Sequence, residues 1–175
     1  GWSSDVCSSD LNTANAAGDG ATAVGNSSSA AGTDSIAVGD SQAQQTNAIA
    51  IGNQADAQQV DSIAQGASST AQGTQSVAIG SDSDAQGTAA VAIGDLSTAT
   101  GNESIALGSS ATAVGAESIA QGSNATATAD DATAIGKGTT ATVGSTAVGD
   151  SSTADGTNSA AFGQTADAGG ISATA

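Results

Sequence analysis

A short block, rewritten along almost the whole chain, limits what the chain can fold into. Ser104-Ile105-Ala106-Leu107-Gly108 recurs as SIAVG ending at Gly39, AIAIG at Gly52, SIAQG at Gly66, SVAIG at Gly80 and AVAIG at Gly94. It returns as SIAQG at Gly122, TAIG at Gly136, STAVG at Gly149 and SAAFG at Gly163, and an early copy, TAVG, closes at Gly25. The spacings between these glycines are 14, 13, 14, 14, 14, 14, 14, 14, 13 and 14 residues. A fixed period of this kind is the signature of a repeat array, in which each unit buries its face against the next.

The period also decides how to read the composition. A chain of 175 residues with a formal charge of −16, one Phe and one Trp lacks the large side chains that fill a globular core. Low hydrophobicity with high net charge is otherwise a mark of disorder. Strictly spaced Ala, Ile and Val are not what a solvated linker needs, so the periodicity overrides that reading.

Each repeat has two halves. In Gly94–Gly108, both Ser97-Thr98-Ala99-Thr100-Gly101 and Ser104-Ile105-Ala106-Leu107-Gly108 alternate with period two, as a strand does when its faces meet different surroundings. Gly, Asn and Asp between them are turn residues. Two strands of about five residues and two tight turns fill 14 positions. The Gly, Ser and Thr content and the missing 3.6-residue period argue against helix. The predicted fold class is all-β: a parallel β-roll, or β-solenoid, of 14-residue coils.

Copies within the chain show which face is tight. The residue two before each motif glycine is always alanine, as in Ala78, Ala92 and Ala106, and so is the middle of the other strand, as in Ala85, Ala99 and Ala113. Slots that admit nothing larger face a space without room, so these six mark the expected roll interior. The flanking positions of the first strand form an apolar ladder, including Val77, Ile79, Val91, Ile93, Ile105 and Leu107. Gln65, Gln121 and Phe162 interrupt or end it. An exposed ladder of this kind marks an interaction surface, and these residues are the expected seam of a self-association. The reverse packing, with Ile and Val inside and alanine at the seam, remains open. The first is preferred because Gln and Phe occur on the ladder and never at an alanine slot.

The chain ends stand apart. Residues 1–11, GWSSDVCSSDL, hold the only Trp and the only Cys and none of the repeat. Asp5 to Leu11 reads as the translation of a sequencing-adapter oligonucleotide (GAC GTG TGC TCT TCC GAT CT), so this segment is read as non-native and left out of fold reasoning. Residues 12–175 are the repeat domain. Ala175 occupies an alanine slot two residues short of the next glycine, which makes the domain look like a fragment truncated at both ends.

These residues carry a family resemblance. The pattern S-[VI]-A-[IV]-G-x-x-S-x-A-x-G, with Ser76-Val77-Ala78-Ile79-Gly80 as its clearest copy, resembles the head repeats of YadA-like trimeric autotransporter adhesins, also described as haemagglutinin-type. It spans essentially all of residues 12–175. The resemblance implies a left-handed roll, a homotrimer, and a virulence-associated adhesin on a bacterial cell surface. Attachment there is through a stalk and an outer-membrane anchor that this sequence does not contain. It also implies binding to host extracellular matrix such as collagen, fibronectin or laminin, or to cell surfaces. Two 13-residue repeats, before Gly52 and Gly149, depart from the pattern, as do the glutamines of the ladder.

Chemistry beyond binding finds little support. With no His, and with Lys137 and Cys7 lacking evident partners, no catalytic residue is expected, so the chain is read as not an enzyme. No cofactor is expected. Asp82/Asp84 and Asp130/Asp131 read as solvated turn charge rather than a metal site, since no calcium-binding nonapeptide occurs. Asn26, Asn102 and Asn124 head N-x-S/T triplets but read as turn residues. Gly136-Lys137-Gly138-Thr139 is too short for a phosphate loop. One basic residue against 17 acidic ones argues against nucleic acid as a partner and against direct membrane contact by this segment. Two other functions stay in view: a passive spacer of a surface or phage fibre, and an ice-binding solenoid built on the pairs Thr98/Thr100, Thr126/Thr128 and Thr140/Thr142. The ligand-binding residues are unknown at this level.

Overall fold

A computed structural model describes residues 13–175; the adapter-like segment, with Trp2 and Cys7, lies outside the described residues. The chain winds into a parallel β-solenoid of about 11 coils. Each coil gives one short strand to each of two 11-stranded parallel sheets, and successive strands alternate between the sheets. One, the narrow sheet, has two-residue strands from Asn15–Ala16 to Thr153–Ala154. The other, the wide sheet, has three-residue strands from Thr22–Val24 to Ala160–Phe162. These are shorter than the five residues that alternation suggests, because the flanking Ser and Gly positions already belong to the turns.

Register follows the repeat. Val77, Val91 and Ile105 lie side by side on the wide sheet, as do Ala78, Ala92 and Ala106; on the narrow sheet Ala85, Ala99 and Ala113 align. The two 13-residue repeats do not slip a strand. One residue is lost from a turn instead: Ser29 and Ala30 pair with Gln42 and Ala43, and Thr133 pairs with Thr146, at an offset of 13. In each shortened turn a serine braces the coil from inside. Ser41 Oγ donates to the Ala50 carbonyl across the interior (3.1 Å), and Ser145 Oγ to that of Ala154 (2.7 Å).

Between the sheets lie only small side chains. Ala78, Ala85, Ala92, Ala99, Ala106 and Ala113 have 0 % exposure, and the slot before each strand after the first is a buried Ser, Ala or Thr. The bulkiest fully buried side chain is Thr139. Most of the buried hydroxyls are satisfied locally: Ser97 Oγ donates to the Gly94 carbonyl (2.9 Å) and Ser104 Oγ to that of Gly101 (2.7 Å), whereas Ser76 Oγ and Ser159 Oγ have no partner. A serine there needs no partner from the opposite sheet, and alanine can replace it without stranding a group, as at Ala90 and Ala111.

The turns require glycine where successive coils stack. Gly94 has φ +134, and a Cβ there would sit 2.5 Å from the Gly108 carbonyl oxygen of the next coil. Gly101 has no unusual φ, but a Cβ would lie 1.9 Å from the Gly115 oxygen, so glycine is required there by proximity alone. Each ordinary turn also holds a left-handed residue that is often not glycine, such as Leu96 (φ 57) or Glu103 (φ 57). Their amides continue the coil-to-coil ladder, with Leu96 N donating to Ser81 O (2.9 Å) and Glu103 N to Thr88 O (2.8 Å).

Two outcomes follow for stability in urea. Ala92→Leu adds volume where no room exists and should cost at least about 1–3 kcal/mol, whereas Ile93→Leu, on the outer side of the same strand, should stay within about 1.5 kcal/mol. Leu96→Asn keeps the left-handed turn with a residue that tolerates it, and should stabilise by roughly 0.5–1 kcal/mol. An unchanged midpoint for Ala92→Leu would contradict the packing described.

Candidate functional site: the outer faces of the roll

Alternation along each strand turns every neighbour of a buried alanine outward, so the roll presents two unlike faces. On the wide sheet, Val77, Ile79, Val91, Ile93, Ile105 and Leu107 point away from the interior and stack in two continuous rows. They are half-buried by their own neighbours or exposed, with Ile105 at 38 % and Leu107 at 39 %. The rows run from Thr22 and Val24 to Ala160 and Phe162, and no outward position of this sheet carries an ionisable side chain. At about 4.8 Å per coil the strip is roughly 50 Å long, and three-residue strands make it about 10 Å wide. Its area, on the order of 500 Å², is at the upper end of what soluble monomers leave uncovered.

The narrow sheet is polar. Its outward positions include Asp56, Thr70, Asp84, Thr98, Thr112 and Thr126, aligned coil on coil. Side-chain bonds tie some of them: Gln44 Nε2 donates to Asp56 Oδ1 of the next coil (2.6 Å), and within that coil Gln58 Nε2 donates to Asp56 Oδ2 (2.9 Å). Gln86 Nε2 donates to Asp84 Oδ2 (2.6 Å), and Asp84 Oδ1 has no partner. Several threonines are turned toward the backbone; Thr100 Oγ1 donates to Val114 O (3.3 Å) and Thr142 Oγ1 to Asp155 O (3.0 Å).

The other residues singled out in the sequence fall on turns. Asp82 and Asp131 occupy left-handed positions (φ 53 and 60), and Asp130 Oδ1 accepts from Ala116 N (2.8 Å). Asn102 Oδ1 likewise accepts from Thr88 N (3.0 Å), and Asn124 is left-handed (φ 57). Among the described residues no group of three or more His, Cys, Asp or Glu side chains is placed to hold a metal ion. Nor is any pocket present among them, and no helix is long and apolar enough to cross a membrane. What the roll offers a partner is two flat faces and two edges of stacked turns.

The comparisons with known proteins agree with this geometry. A family model described as "YadA head domain repeat (2 copies)" matches residues 16–41, 39–55, 57–83, 85–111, 113–139 and 143–166. Comparison with curated proteins finds no match. Among solved structures, the collagen-binding domain of the Yersinia adhesin YadA is similar, with a TM-score of 0.52 and 26 % identity over 84 % of this chain and 68 % of that one. Fold and family are those of an adhesin, a kind of protein that works by binding rather than by catalysis. With tandem matches over most of its length, the chain belongs to the family of YadA head-domain repeats.

Proposed function

We propose that this adhesin-type head assembles as a homotrimer through the apolar strip of the wide sheet and binds host extracellular matrix, of the collagen or fibronectin kind, or cell surfaces. One observation carries the reading. The strip is long, flat and free of charge on a chain of formal charge −16, so burying it against identical strips removes apolar surface without pairing or stranding any ion. Val77, Ile79, Val91, Ile93, Ile105 and Leu107 form the seam. The magnitudes favour it too: an interior alanine methyl contributes roughly 0.8 kcal/mol, whereas covering a Val or Ile is worth about 1.5–3 kcal/mol. Most of the apolar gain open to each coil therefore lies outside it.

With the wide sheet in the seam, the narrow sheet and the turn edges face the ligand. A flat polar surface repeated every coil makes many weak contacts, and three chains on one rod multiply them by raising the effective concentration of each site. The similarity to a collagen-binding domain supports matrix as the ligand class. Display on the bacterial surface, through a stalk and outer-membrane anchor, belongs to the same reading.

Sedimentation equilibrium of residues 12–175 should give three times the chain mass, and Ile93→Asp/Ile105→Asp should reduce it to one chain mass. Thr98→Asp/Thr112→Asp should leave the mass at three and weaken binding to immobilised collagen or fibronectin several-fold. A folded trimer that binds no matrix protein and no cells would favour a structural spacer; a folded monomer with thermal hysteresis would favour ice binding.

A further inference from the structure

We propose that Gln65 and Gln121 set the register in which copies of this chain pack along the wide sheet, an inference that rests on the self-association proposed above. The strip repeats with every coil. Sliding one copy past another by one coil exchanges Ile and Val for Ile and Val, so apolar burial alone specifies the register weakly.

Two positions break that degeneracy. Gln65 lies between Ile51 and Ile79 on the strip, and Gln121 between Leu107 and Ile135. Both side chains are exposed. Among the described residues neither amide is hydrogen-bonded within the chain, while Gln44, Gln58 and Gln86 of the narrow sheet all donate to aspartates. An amide carries both donors and an acceptor, so a glutamine facing its own copy finds the partners it needs. Facing isoleucine, the same amide is buried with donor and acceptor unmade, which is the costly case. A single polar layer in an apolar seam fixes register by this means in coiled coils.

The spacing sharpens the device. Gln65 and Gln121 are 56 residues, or four coils, apart. A slip of one, two or three coils mispairs both. A slip of four re-pairs one of them but gives up four of the eleven coils of apolar overlap. The partner is a second copy because the strip has no charge with which to draw a basic ligand. The acids lie on the turns and on the narrow sheet, where such a ligand would go instead.

The test uses the full chain with Cys7→Ser. Chains carrying Ile79→Cys are mixed with chains carrying Ile93→Cys, refolded together and oxidised, and the disulfides are mapped by mass spectrometry. Bridging needs Cα atoms within about 7 Å, so matched registers favour 79–79 and 93–93 links and a one-coil slip favours 79–93. Matched links should dominate in the parent. In the Gln65→Ile/Gln121→Ile background the mixed fraction should rise about tenfold, with the assembly mass unchanged. An equal mixed fraction in both backgrounds, in an intact assembly, overturns the role of the glutamines. A single-chain mass for the parent, with no links of either kind, overturns the self-association itself and this inference with it.

Discussion

Everything in this roll depends on how closely its two sheets approach. The turns bring each coil onto the next with carbonyl oxygens where a Cβ would stand, as at Gly94 and Gly101. The space left between the sheets holds alanine, serine and one threonine. Facing sheets usually stand about 10 Å apart because larger side chains interdigitate between them; here none can. Apolar bulk has therefore been moved to the outside of the wide sheet, and the molecule's largest hydrophobic surface is one that a single chain cannot bury.

That inversion explains why the repeat is so strict in some places and loose in others. Position 92 must be alanine because it is fully buried between the two closely spaced sheets, in a row with Ala78 and Ala106. Position 93 meets only its row neighbours on an open face, so the same slot holds Gln65, Leu107 and Phe162 in other coils. On the turns, Leu96 and Glu103 occupy equivalent left-handed places with nothing in common but the backbone they share. A coil can even lose a residue there, since both strands stay in register while Ser41 or Ser145 reaches across to hold the shortened turn.

Much of this was legible in the sequence because the chain aligns with itself. Repeated copies mark the alanine slots and separate the ladder of Val77 and Ile79 from the polar row of Thr98 and Thr112. Three things were not legible. The left-handed turn residues vary too much in type to be seen. The strands are shorter than the alternation suggests, because Ser97 and Ser104 keep the period while bonding as turn residues. The location of each missing residue also escaped, since a 13-residue spacing does not say which turn is cut. The polar face illustrates a different limit: the Gln44–Asp56–Gln58 cluster joins neighbouring coils by side-chain geometry, and no repeat announces it.

With the wide sheet in a seam, similarly exposed apolar residues on the two faces should have different fates in solution. Leu107 on the wide sheet and Val114 on the narrow-sheet side are 39 % and 45 % exposed in one chain. Thiol-labelling rates of Leu107→Cys and Val114→Cys, each with Cys7→Ser, compare the two faces directly. Val114→Cys should label rapidly at every protein concentration, and Leu107→Cys should become about tenfold slower as concentration drives assembly. Equal rates at high concentration would show the strip open to water, and would contradict a seam along the wide sheet.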